Sequence, residues 1–163
     1  MSVPLTQALG PMTDDLLLAE TEIDALASWR WMVGETSEVV ALSLSGDIFY
    51  RDGSDHVHWL DTGSGTTEEV ASSWSEFRTT LANPERAAEL LLQPVVEQFL
   101  QSCGPLSPGK CLGYKTLPIF GGDYSGANRV PLPALEHYLF TGEVHQLVKD
   151  LPEGGQVELA VVD

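Results

Sequence analysis

Two histidines stand one residue apart in His56-Val57-His58, and His137 and His145 follow far downstream. On a strand, residues two apart point to one side, so His56 and His58 could supply half of a metal site. Nothing in the spacing fixes the other half, and no cysteine pair has ligand spacing, so a polar strand face is the plainer reading. The turn Gly121-Gly122-Asp123-Tyr124-Ser125-Gly126 invites comparison with phosphate loops. It lacks the Gly-Lys-Ser/Thr ending and the strand-to-helix glycine spacing of dinucleotide sites, and reads as a tight turn with a positive φ. Cys103 and Cys111 read as reduced thiols, one ending a helix and the other entering a strand, and no Gly-x-Ser-x-Gly elbow is present. No catalytic constellation emerges, and no metal or other cofactor is called for.

Charge carries more information. The chain has 24 acidic and 8 basic side chains, a net charge of −16. Residues 1–82 hold 14 acids and three bases, and residues 83–163 hold 10 acids and five bases. Nucleic-acid binding relies on Lys and Arg to displace counterions, so nucleic acid is a poor partner for this chain, as is an anionic membrane. A basic protein is a good one, with association hastened by long-range attraction. Asp47, Asp52, Asp55, Asp61, Glu68 and Glu69, dense in charge and set on strands and turns of the acidic half, are the candidate partner-binding residues. With no basic region leading an apolar core near the N-terminus and no apolar run of spanning length, the expected location is the cytoplasm.

The elements that position these residues are legible in outline. Thr13-Asp14-Asp15 reads as a helix start, so residues 11–34 are expected to hold one or two short helices, ending in a core cluster around Trp29 and Trp31. Runs at 39–44, 47–51, 57–60 and 66–70, punctuated by Ser45-Gly46, Asp52-Gly53 and Gly63-Ser64-Gly65, predict an antiparallel β-meander. Ser73 with Glu76 opens a helix to about Leu81, with Trp74, Phe77 and Leu81 on one face. Asn83-Pro84 starts another, Pro94 breaks it, and Gly104-Pro105 stops a third. Extended segments at 111–120 and 130–135, a helix at 142–149 and an apolar stretch at 157–162 complete the order. Strands followed by helices predict an α+β fold, the meander covered on one face by helices. The expected division is an N-terminal appendage, 1–27, and a single domain, 28–163.

Trp29-Arg30-Trp31, Gly46-Asp47-Ile48-Phe49, Val57-His58-Trp59-Leu60-Asp61, Ser75-Glu76-Phe77, Gly113-Tyr114-Lys115 and Phe120-Gly121-Gly122 run in an order that resembles one bacterial family, over Ser28 to Asp150. It is the C-terminal domain of type VI secretion DNase-immunity proteins, whose longer members carry an additional N-terminal domain. The family is in turn distantly similar to the Smi/Knr-like immunity proteins. The resemblance implies an immunity protein without enzymatic activity, which binds and neutralises a cognate toxin, a nuclease favoured, by covering its active site. The alternative is an acidic cytosolic regulatory or scaffold module that binds a protein unrelated to toxins.

Overall fold

The computed structural model describes residues 16–18 and 23–151. The helix start at Thr13 and the apolar stretch 157–162 lie outside them. A 3₁₀ turn, Ala27–Trp29, runs into α1, Arg30–Val33. Four strands follow: β1, Glu38–Leu42; β2, Ile48–Arg51; β3, Val57–Asp61; and β4, Thr66–Ala71. They pair antiparallel in the order β1-β2-β3-β4, the meander that the turn punctuation predicts. Next come α2, Trp74–Ala82; α3, Pro84–Leu90; and α4, Gln93–Cys103. A second, two-stranded antiparallel sheet is formed by β5, Lys110–Tyr114, and β6, Arg129–Pro133, with the 115–128 loop between them. The last described helix, α5, spans Ala134–Val148. The fold is α+β.

Strand periodicity sends alternate residues to two cores. Phe49, Val57 and Trp59 pack with Phe77, Leu81, Leu90, Val96 and Phe99 of α2, α3 and α4. Ile48, Tyr50 and Leu60 pack with Trp29, Leu26 and Tyr138. The helices expected over one face are therefore present, and the turn before α1 together with α5 covers the other. Each fully buried aromatic or aliphatic side chain adds roughly 1.5–3 kcal/mol of transfer free energy. Leu16, Leu17 and Leu18 are buried as well, and the Leu18 amide donates to the Leu42 carbonyl at 2.8 Å.

Local signals set the helix ends. The Ser73 side chain accepts from the Glu76 amide at 3.1 Å, while the Glu76 carboxylate bonds Ser72 rather than closing a reciprocal box. Asn83 Oδ1 accepts from the amides of Glu85 and Arg86, at 3.0 and 3.2 Å, with Pro84 in the first turn. Replacing Asn83 by Ala leaves both amides to water, and we expect a loss of about 1 kcal/mol, read from the urea midpoint, with Asn83→Asp within a few tenths of wild type. An unchanged midpoint in the Ala variant would show that this cap adds nothing.

The expected helix at 142–149 is corrected: α5 starts eight residues earlier, at Ala134. Gly142 suggests a boundary in sequence, yet it lies mid-helix because a Cβ there would come within 2.6 Å of the Ser28 carbonyl oxygen. It is a close-approach glycine, where α5 crosses the chain just before Trp29. Trp29 seals that crossing, donating its indole N–H to the Tyr138 carbonyl at 3.0 Å.

Candidate functional site

At one end of the meander the β3–β4 turn meets the 115–128 loop. Asp61 ends β3. Its Oδ1 accepts from the amides of Gly63 and Ser64, and its Oδ2 accepts from the Tyr124 hydroxyl at 3.0 Å. Tyr124 stands edge-on to Tyr114, and the Arg129 guanidinium lies 3.9 Å from the centre of the Tyr114 ring. Arg129 is 1% exposed. It donates to the carbonyls of Ser45 at 2.8 Å, Leu112 at 3.4 Å and Tyr124 at 3.3 Å, so one cation ties the β1–β2 turn, β5 and the loop together.

Beneath this end lies a buried polar cluster. Asp47 accepts from the Trp59 indole N–H at 3.0 Å and from the Thr62 amide at 3.2 Å. Burial, and after it the neighbouring Asp61 charge, push the Asp47 carboxyl up to about 7, against the Trp59 and Thr62 donors and the positive Arg129. His137 Nε2 lies 3.0 Å from the Gly46 carbonyl oxygen and 3.0 Å from Thr62 Oγ1. A carbonyl only accepts, so Nε2 carries the ring proton. Burial pushes His137 down to about 4, which keeps the ring neutral. Gly46 has φ 95°, and a Cβ there would meet the Leu112 carbonyl oxygen at 2.6 Å and His137 Nε2 at 2.8 Å, so only glycine fits.

The six acids expected on one surface are divided. Asp47 is corrected: it is 0% exposed, because just ahead of β2 its carboxylate is held inward by the Trp59 indole and the Thr62 amide. Asp52 sits in the β2–β3 turn, where Oδ1 accepts the Ser54 and His56 amides and Oδ2 pairs with His58 at 2.8 Å. Asp55 lies 3.6 Å from Arg51, and Glu69 pairs with His56 at 2.7 Å. Glu68 is exposed, opposite Trp59 on β4, an edge strand of the sheet. The accessible acids thus group along the β2–β3 turn and β4, while Asp61 belongs to the loop end.

The histidines are divided too. His56 and His58 pair with Glu69 and Asp52 at the surface, whereas His137 and His145 on α5 are buried, His145 Nε2 donating to the Thr62 carbonyl at 2.9 Å. The reduced cysteines fall where expected, Cys103 exposed at the end of α4 and Cys111 buried in β5. Gly121 takes φ 97°, the positive value expected of the turn. Sequence reasoning missed Arg129, Thr62 and the role of His137. An arginine opening an apolar strand is the one trace, and it does not distinguish a buried cation from a surface one.

The loop, the Tyr114 strand and most of α5 lie in a stretch that is similar to a known family. Residues 71–145 match T6SS immunity protein Tdi1, C-terminal. This is the family that the sequence resembles. The Tdi1 match runs from the last residue of β4 into α5, so it takes in α2, α3, α4, β5, the loop and β6. The landmarks at Trp29, Gly46 to Phe49 and Val57 to Asp61 precede it. Among solved structures, the crystal structure of Atu4351 from Agrobacterium tumefaciens is similar, with a TM-score of 0.51 at 16% identity, over 66% of this chain and 54% of that one. At that identity the likeness shows the fold alone, and the aligned region spans about half the length of that protein. No curated relative matches the chain.

Proposed function

We propose that this chain is an immunity protein that binds a cognate toxin of type VI secretion and neutralises it in the cytoplasm. The match of residues 71–145 to the Tdi1 C-terminal family carries the reading. The finer steps rest on charge. A net charge of −16 suits a basic enzyme, and an enzyme that grips DNA is basic where its substrate lies. Acidic side chains set against that channel would exclude DNA, so a nuclease blocked at its active site is the preferred target. No catalytic step is assigned to the chain itself.

The test is co-expression with the product of the neighbouring gene. The expected result is a tight purified complex and restored growth. Neither complex nor rescue would overturn the reading and leave a scaffold role ahead. In the same complex, reversing Asp55, Glu68 and Glu69 together to Lys should slow association roughly tenfold at low salt and flatten its salt dependence, with dissociation little changed. Wild-type association rates in stopped flow would remove steering by this edge.

A further inference from the structure

Beside Phe120 the loop folds into an open depression of about 330 Å³, lined among others by Phe120, Gly121, Gly122, Asp123, Ser125 and Asn128. Its frame is braced. Asn128 Nδ2 donates to the carbonyls of Thr116 at 2.8 Å and Asp123 at 2.7 Å, and its Oδ1 accepts the Thr116 amide at 3.1 Å. The Gly126 amide is held by Gln98 of α4 at 3.1 Å, and Arg129 and Asp61 hold Tyr124 from beneath and beside. On this frame Ile119, Phe120 and Tyr124 are 39%, 43% and 37% exposed. Exposed aromatic side chains on a frame fixed in advance lose little freedom when a partner covers them.

The charge at the rim selects the ligand. Asp123 Oδ1 accepts from the Ser125 amide at 3.0 Å and the Ser125 hydroxyl at 2.6 Å, while Oδ2 makes no hydrogen bond among the described residues. The two Ser125 donors hold the carboxyl below its ordinary range, so it is ionised at neutral pH. No Lys or Arg lines the depression, so the glycine turn does not suit a phosphate. A free carboxylate oxygen beside an exposed ring suits a cation, above all a guanidinium, which stacks on the ring while bonding the carboxylate.

Resting on the immunity reading, we infer that this depression takes an arginine or lysine side chain of the toxin, its cation on Asp123 and its stem or guanidinium plane on Phe120. The loop is then the anchor of the interface, and the acids of β4 and of the β2–β3 turn, which lies at the opposite end of the meander, act on the partner only through long-range attraction. The net charge of −16 makes a basic partner the complementary one. The anchor lies within the matched stretch, whereas the steering acids precede it.

The experiment uses the full chain and the purified product of the neighbouring gene, with dissociation followed by biolayer interferometry. Phe120→Ala should dissociate about 30-fold faster, the change of a typical hot-spot truncation. Asp123→Asn keeps an oxygen for Ser125, loses the charge and should bind roughly tenfold more weakly, while Glu89→Gln, at an exposed position of α3, should dissociate at the wild-type rate. Circular dichroism confirms the fold of each variant, since Phe120 and Asp123 are exposed. A wild type that binds and rescues, with both loop variants dissociating at its rate, would overturn the anchor and leave immunity standing. A wild type that does not bind would overturn both.

Discussion

Replacing Arg129 by Met should cost about 3–5 kcal/mol of stability, the largest effect expected of any single substitution in the polar cluster. Methionine fills much of the same space, so the cost arises from what the guanidinium does. It is 1% exposed and supplies donors to the carbonyls of Ser45, Leu112 and Tyr124. A buried acceptor stripped of its donor carries a desolvation penalty of roughly 1–3 kcal/mol. The cation also faces the Tyr114 ring at 3.9 Å and opposes the negative charge of Asp47. Without it Asp47 is an uncompensated buried carboxyl, and protonation becomes its means of staying buried. Arg129→Lys keeps the charge but not the fork, and should fall between, losing about 1–3 kcal/mol. Urea denaturation at pH 7 decides the matter: a midpoint for the Met variant within 1 kcal/mol of wild type would mean that the three carbonyls find other donors. The same variant should loosen the 115–128 loop, because the Arg129 contact to the Tyr124 carbonyl is one of its braces.

The meander was legible because its turns are written in residues with one conformational use, and because β2 and β3 alternate toward two cores. The helix ends at Ser73, Asn83, Pro94 and Gly104 were legible for the same reason: a side-chain acceptor, a missing N–H or a missing Cβ acts within a few residues of where it sits. What could not be read depended on contacts distant in sequence. Gly142 looks like a boundary until α5 is laid against Ser28, 114 residues away in the chain. Asp47 looks like one more surface acid, since a carboxylate in a β-turn region is usually solvated. Only the approach of Trp59, Thr62 and Arg129 makes it an interior one. The second helical layer was hidden likewise, because α5 has apolar residues all round rather than on one stripe. Phe140 and Leu147 are exposed while Tyr138 and Val144 are buried.

The pH dependence of stability should carry opposing contributions from Asp47 and His137, and two substitutions should tilt it in opposite directions relative to wild type. Burial and Asp61 push the Asp47 carboxyl from 3.8 up to about 7, so between those values the folded chain holds a proton that the unfolded chain has released. Stability contributed by this group is present below about pH 4 and declines as pH rises to about 7, by on the order of 4 kcal/mol. His137 has the opposite sign. Burial pushes it from 6.5 to about 4, so in that interval it is the unfolded chain that holds the proton. Its contribution is present above 6.5 and is lost as pH falls through about 4, by on the order of 3 kcal/mol. The two slopes oppose one another over most of the range. In Asp47→Asn the His137 slope stands alone, and stability should climb from pH 4 to 6.5 relative to wild type. In His137→Gln the amide can still donate to the Gly46 carbonyl, the Asp47 slope is no longer offset by His137, and stability should fall from pH 4 to 6.5 relative to wild type. Both variants start from a lower baseline, since Asn has one acceptor where Asp47 offers two, so the slope and not the level is the readout. The other shifted groups, among them His145, which burial lowers, are common to all three proteins and cancel in the differences. Urea titrations at half-unit steps from pH 4 to 8 measure the slopes, and profiles parallel to wild type in both variants would show that neither group changes its protonation on folding.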